Sequence, residues 1–361
     1  MLGRSSCCTL VAALLSFASA SAQIPPAATS DLGITVSRLS PRVAVVHTAP
    51  WTWNNSYVAI ATRKGIVVID SGFSKTIAQA VRKAIETEFK RSDFAYLILT
   101  HEHSDHIFGN SAYADVPIVG SDLMRGAILK MKADPAIVAD RFAIPGQTLG
   151  KMREELLKDP KAADKTQVAQ AETFWKIVQA DYASGVEYLP PTITFDRRLA
   201  LNLGDVTVHL FSYGHWHSIA DTIVSIPEEN IVRLGAILYG DHLPVVKNPY
   251  GPAETMTPAM VDNWVAILKE VVAQSDDKTQ FISCHGWGVM SKAQVAPQVA
   301  YLEKLWNQVR SAKTAGKTLQ ETKASLPRAQ AFPEVASLGD SGLQVSNIHE
   351  HNIEALWTAA P

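Results

Sequence analysis

The segment His101-Glu102-His103-Ser104-Asp105-His106 gathers three of the chain's 11 histidines beside the Asp105 carboxylate. It follows Ala95-Tyr96-Leu97-Ile98-Leu99-Thr100, a short apolar run that reads as a buried strand. At an extended strand end, His101 and His103 are two residues apart and point to one side. Asp105 and His106 come where the chain must turn. Imidazole nitrogen and carboxylate oxygen are the donors that zinc and similar borderline cations accept. Buried together without a cation, such groups would be left poorly satisfied. The plain alternative is a polar surface loop rich in histidine. The density of donors instead makes metal binding the working premise.

Thr100 followed by this segment and then Gly109-Asn110 resembles the metal-binding signature of the metallo-β-lactamase superfamily, His-x-His-x-Asp-His. Upstream, Gly65-Ile66-Val67-Val68-Ile69-Asp70-Ser71-Gly72 resembles the strand and Asp-x-Gly turn that support the metal loop. Downstream, Gly214-His215-Trp216-His217-Ser218-Ile219-Ala220-Asp221 and Cys284-His285-Gly286 resemble the later ligand segments, in the family's order. The resemblance implies two zinc ions, one held by His101, His103 and His217, the other by Asp105, His106 and His285. His215 and His217 compete for one position, and the pattern Tyr-Gly-x-x-His-Ser favours His217. That leaves His215 as a neighbour or substrate contact. Asp70 is the candidate carboxylate supporting the ligands from behind; a turn-forming Asp is the alternative.

One departure stands out. Many members carry an Asp or Cys that bridges or completes the second metal after the strand that follows Pro-Glu-Glu. A gapless reading from Pro227 puts Ala236 there, which has no lone pair to offer. Asp241 could supply the carboxylate if the strand is extended or shifted. With Ala236, each metal keeps three protein ligands, a set resembling the β-lactamase subclass without the bridging thiolate.

Zinc lowers the pKa of a shared water to about 7, so the chemistry implied is hydrolysis by hydroxide, with Asp105 orienting it. No protein nucleophile is needed, and Cys284 reads as a buried cysteine on a core strand. The expected partner is a small-molecule substrate. A β-lactam amide is favoured; an ester, lactone or thioester is the rival. Trp51 and Trp53, at an apparent hairpin tip, are candidates for a flap over it, and Lys247 and Asn248 for binding its carboxylate. A metal-binding accessory protein without catalysis is the reading from another class, and the intact ligand set argues against it.

With 47% hydrophobic residues, 19% charged and a net charge of −2, the composition fits a globular protein with a sizeable core and no basic field for nucleic acid. Arg4, the apolar run Leu10 to Ala18 and Ala20-Ser21-Ala22 read as a signal peptide over residues 1–22, cleaved before Gln23. The run is too short to span a bilayer. Export to the periplasm or medium follows. Cleavage removes Cys7 and Cys8, leaving Cys284 alone, so no intrachain disulfide forms.

Strands are expected at residues 43–48, 57–62, 66–70, 95–100 and near 117–119, with an amphipathic helix over 75–90. Residues of about 122–185 read as a helical insertion, punctuated by Pro135, Pro145 and Pro160. Further strands are expected at 192–195, 200–203, 206–212, 222–226, 231–234 and 280–284. Helices are expected at 258–273 and 292–325, and around 352–358 within a C-terminal helical extension (292–361). Periodicity alone gives mixed α/β. The resemblance implies a four-layer αβ/βα sandwich in one domain over residues 23–361.

Overall fold

Strand alternation sets the layers. In the computed structural model, which describes residues 32–48, 55–137, 154, 165–247, 256–285, 288–341 and 345–361, two sheets stack face to face. The first holds β1 (Thr35–Arg38), β2 (Val43–His47), β3 (Ser56–Thr62), β4 (Gly65–Ile69), β5 (Phe94–Ile98), β6 (Ile118–Ser121) and β7 (Ile193–Phe195), in sequence order. Pairing is antiparallel from β1 to β4 and parallel from β4 to β7. The second holds β8 (Arg198–Asn202), β9 (Thr207–Ser212), β10 (Thr222–Ile226), β11 (Ile231–Gly235), β12 (Gln280–Ser283) and β13 (Val289–Met290). Only its β11–β12 pair is parallel.

β4 illustrates why the sheets bury both faces. Val67 and Ile69 join Val208, Leu210, Val224 and Ile282 in the core between the sheets. Ile66 and Val68 point the other way, into a core shared with helices. β-branched residues suit such a two-sided strand.

Helices cover both outer faces. α1 (Lys75–Phe89) links β4 to β5; Ser74 caps it by accepting from the Ile77 N–H, and Ile77, Ala78, Val81 and Ile85 form its buried stripe. A single turn, α2 (Ser104–Ile107), follows β5. α3 (Asp122–Ala133) and α4 (Lys165–Ser184) lie between β6 and β7 and place Met124, Ile128, Phe174 and Val178 against the first sheet. The described parts of the segment read from sequence as a helical insertion pack in this outer layer. On the second sheet, α5 (Pro258–Gln274), α6 (Lys292–Thr314), α7 (Leu319–Ser325), α8 (Arg328–Ala331) and α9 (Ile348–Ala359) build the fourth layer. Its core includes Trp264, Leu268, Leu302, Trp306 and Leu356 over Val232, Leu234 and Phe281. The expected four-layer αβ/βα sandwich is therefore the observed one. Among the described residues, no helix is long and apolar enough to cross a membrane.

The differences from the sequence reading are local. The helix expected over 292–325 breaks because Gly316 adopts φ 77, which ends a helix, and Thr318 starts the next with a Thr318/Glu321 capping box. The last helix begins at Ile348, earlier than expected, because the Asn347 side chain caps it. β1 and β13 were not foreseen. The signal segment, Trp51, Trp53 and Asn248 lie outside the described residues.

A buried arginine ties the two sheets. Arg233, on β11, donates from Nη1 to Ser56 Oγ at 2.6 Å and from Nη2 to Asp70 Oδ2 at 3.1 Å, both on the first sheet's side. Arg233 and Asp70 are both fully buried. Arg233→Ala should lower unfolding free energy by about 3–5 kcal/mol, because Asp70 loses its permanent counter-charge. Urea unfolding of the purified chain reads this, and a loss below about 1 kcal/mol would show that the pair is not a structural tie.

Candidate metal centre

The candidate donors converge at one end of the two sheets. His101 and His103 sit in the segment after β5, Asp105 and His106 on α2, His217 between β9 and β10, and His285 just beyond β12. The turn expected at Asp105 is thus a helical turn, closed by the His106 N–H donating to the His103 carbonyl at 2.9 Å. It lies directly against the Asp70 turn: the Ser71 N–H donates to the His106 carbonyl at 2.9 Å. Gly109 allows this approach, since a Cβ there would stand 2.3 Å from the Ser71 carbonyl oxygen.

Ligand atoms form two groups, each with all atoms within 4.8 Å of one another: His101, His103 and His217, and Asp105, His106 and His285. Asp105 Oδ2 lies 3.0 Å from His106 Nε2 and 3.5 Å from His285 Nε2. The rings of His101 and His106 stand 4.1 Å apart, so the groups adjoin. His101 Nε2 is buried and has no hydrogen-bond partner. A buried nitrogen facing other donors is what a cation would satisfy, and nitrogen with one carboxylate is a donor set that fits zinc.

The supporting bonds settle which nitrogens face inward. Thr100 donates to Asp70 Oδ1 from its N–H at 2.8 Å and its hydroxyl at 2.9 Å. With its proton so used, Thr100 Oγ1 accepts from His101 Nδ1 at 3.0 Å, leaving Nε2 for a metal. His217 Nδ1 donates to the Val245 carbonyl at 3.2 Å, with the same result. His106 Nδ1 lies 3.3 Å from Asp70 Oδ2. Asp70 therefore supports both groups, from a left-handed backbone at φ 68.

Burial keeps three of the imidazoles in the neutral, ligating form: it pushes His217 down to about 4 and His285 to about 3, and holds His101 well below its ordinary value. Burial would raise the Asp105 and Asp70 carboxyls, but adjacent His106 outweighs it and both stay below the usual carboxylate range. Burial also opposes charge on His106, yet Asp105 and Asp70 lift it well above the ordinary imidazole value.

The other candidates fall around this centre. His215 is half-buried and stands in neither group. Asp241 is 81% exposed at its side chain, 3.9 Å from His242, and also stands in neither. Ala236 is buried against Tyr239 and Cys284. Lys247 adopts φ 61 and donates its backbone N–H to the Trp216 carbonyl at 3.0 Å, bracing the His217 loop.

Several contributors were not identified from sequence. Arg233 was legible in principle, as a lone cation in the apolar run Ile231-Val232-Arg233-Leu234. Asn55 donates from Nδ2 to the Asp105 carbonyl at 2.5 Å. Buried Asp221 Oδ2 accepts from the Ser218 N–H at 2.7 Å and the Trp216 N–H at 3.2 Å, clamping the loop that carries His217. Burial, then the nearby Glu102 charge, pushes Asp221 up to about 7. Tyr239 is buried, its hydroxyl has no hydrogen-bond partner, and its ring centre lies 6.3 Å from that of His217 and 6.4 Å from that of His285.

A model of the metallo-beta-lactamase superfamily matches residues 51–285. No curated protein matches the sequence. Among solved structures, a stereoselective inverting sec-alkylsulfatase from Pseudomonas sp. is 14% identical with a TM-score of 0.57, over 89% of this chain and 49% of that one. The chain thus spans about half the sulfatase's length. A double mutant of a sec-alkyl sulfatase gives a TM-score of 0.60 at 15% identity, over 90% of this chain and 50% of that one. A metallo-beta-lactamase from Pontibacter korlensis is 13% identical with a TM-score of 0.47, over 75% of this chain and 99% of that one. At these identities the likeness is one of fold.

The Asp70–Thr100–His101 chain generates a test. Thr100→Val should weaken metal binding by roughly 10–100-fold, as loss of an outer hydrogen bond to a ligand does. Competition with a chromophoric chelator measures it. His215→Ala should leave the affinity unchanged, and equal losses in the two variants would remove the distinction.

Proposed function

The chain belongs to the metallo-β-lactamase superfamily, and from that membership we propose that it is an exported dinuclear zinc hydrolase cleaving the amide of a β-lactam. The observation that carries the reading is the pair of adjoining donor groups, His101/His103/His217 and Asp105/His106/His285. Zinc bound there would polarise a carbonyl oxygen and make hydroxide available near neutral pH.

The chain's own residues then have separable tasks. His101 and His217, kept neutral by burial, hold the first ion together with His103. Asp105, kept ionised, holds the second with His106 and His285 and accepts a hydrogen bond from the attacking water, aligning it. Tyr239 offers a buried phenol proton to the oxygen on which charge develops. The targeting features of residues 1–22 support export.

A second reading is hydrolysis of a sulfate ester. It is favoured by the fold likeness to the sec-alkylsulfatase, which extends over 89% of this chain. Esters, lactones and thioesters complete the rival carbonyl substrates.

Mature protein should hold about two zinc ions per chain, and His103→Ala should lose the first with almost all turnover. On a panel of a chromogenic cephalosporin, a lactone, a thioester and a secondary alkyl sulfate, the cephalosporin should show the highest kcat/KM. Preference for the sulfate would install the second reading, and full activity in metal-free protein would remove both. Tyr239→Phe should lower kcat by roughly 10²-fold with zinc content and KM unchanged, as removal of one preorganised donor does; an unchanged kcat would take Tyr239 out of the reaction.

A further inference from the structure

Cys284 is not packed into any of the three large apolar cores. It lies with Ala236 and Tyr239 in a small cluster of its own. Its backbone is fixed from both sheets: its N–H donates to the Gly235 carbonyl at 2.9 Å, and its carbonyl accepts from the Ser56 N–H at 2.9 Å. The thiol is thereby held beside His101 and His106.

Its sulfur forms a third group with ligand atoms of His101 and His106, all within 4.8 Å of one another. His101 belongs to the first donor group and His106 to the second, so the sulfur stands where the two adjoin. His101 Nε2 is wholly buried without a hydrogen-bond partner, and the buried nitrogens of His106 face the Asp70 and Asp105 carboxylates at 3.3 and 3.0 Å. Beside this place lies Ala236, whose methyl group can donate nothing.

We propose that Cys284 is a further metal ligand, its thiolate occupying the junction between the two donor groups that Ala236 leaves without a donor. The inference rests on the two-metal reading above. On binding, the S–H bond breaks, its proton leaves to solvent, and a sulfur lone pair forms the metal–sulfur bond; no oxidation state changes. The thiolate reaches the junction from the segment just after β12, next to His285, rather than from the end of β11. A soft sulfur donor would favour zinc or cobalt over magnesium or calcium.

Cobalt(II) reports the bond directly, through an intense near-ultraviolet charge-transfer band that only a sulfur ligand gives. The full mature chain, stripped and titrated with cobalt, should develop that band. Cys284→Ser and Cys284→Ala should lose it and bind the cobalt more weakly by roughly tenfold or more, a loss at least that of an outer-shell partner. Absence of the band in the cobalt-loaded wild-type chain overturns the proposal without reliance on any variant. Its persistence in Cys284→Ser overturns it equally. Failure of the two-metal reading would register separately, as fewer than two cobalt ions bound at saturation, whatever the band does.

Discussion

The charge on Asp70 has to be kept where water cannot reach it. An ionised carboxylate removed from water costs several kcal/mol unless every lone pair is met, and this one is fully buried. Thr100 at the end of one strand segment, Arg233 on β11 of the opposite sheet and His106 on α2 meet it from three directions. No partner can move without exposing the charge of another. The loops that carry the donors are therefore held by electrostatics as well as by apolar packing. Asp70 itself takes a left-handed backbone, a conformation that costs a non-glycine residue on the order of 1–3 kcal/mol and persists only where the surroundings fix it.

The same carboxylate explains how a dense cluster of imidazoles tolerates burial. Through Thr100 it sets the tautomer of His101, and directly it faces His106. The second carboxylate, Asp105, neutralises the inner side of His106. Two anions and one guanidinium thus surround a set of mostly neutral rings, a charge pattern that accepts divalent cations and rejects a purely apolar filling. The one-turn helix α2 is too short to hold itself; it persists because its backbone is bonded to the Asp70 turn and to Asn55.

Much of this was legible in the sequence, for definite reasons. Val- and Ile-rich runs gave the strands of both sheets because burial on two faces demands them, and the 3.6-residue stripe of Ile77, Val81 and Ile85 gave α1. The four donors of residues 101–106 stood out by their density, whereas His217 and His285 were legible only through the resemblance of their segments to the family's later ligand motifs. What escaped was whatever depends on contact across the sandwich. Asp221 reads as an ordinary polar residue until its bonds to the His217 loop are seen. Arg233 interrupts an apolar strand visibly, yet its partner is remote in sequence. The short strands β1 and β13 carry too few residues for alternation to register, and Gly316 ends α6 by a backbone angle that periodicity does not encode.

The donors come from both halves of the chain: four precede α3, and two, His217 and His285, follow α4. No segment emerging first can assemble either group, because each needs a residue from the later strands. Closing such distant contacts is entropically slow and comes late in folding. Capture of a metal by these donors would then be an end-point event, and a chain that held one in each group would, by that fact, already have brought its two sheets together. Metal occupancy would then serve the cell as a record of completed assembly, and a metal-free chain would be left with its two halves docked by Arg233, the other hydrogen bonds between the sheets and the apolar core.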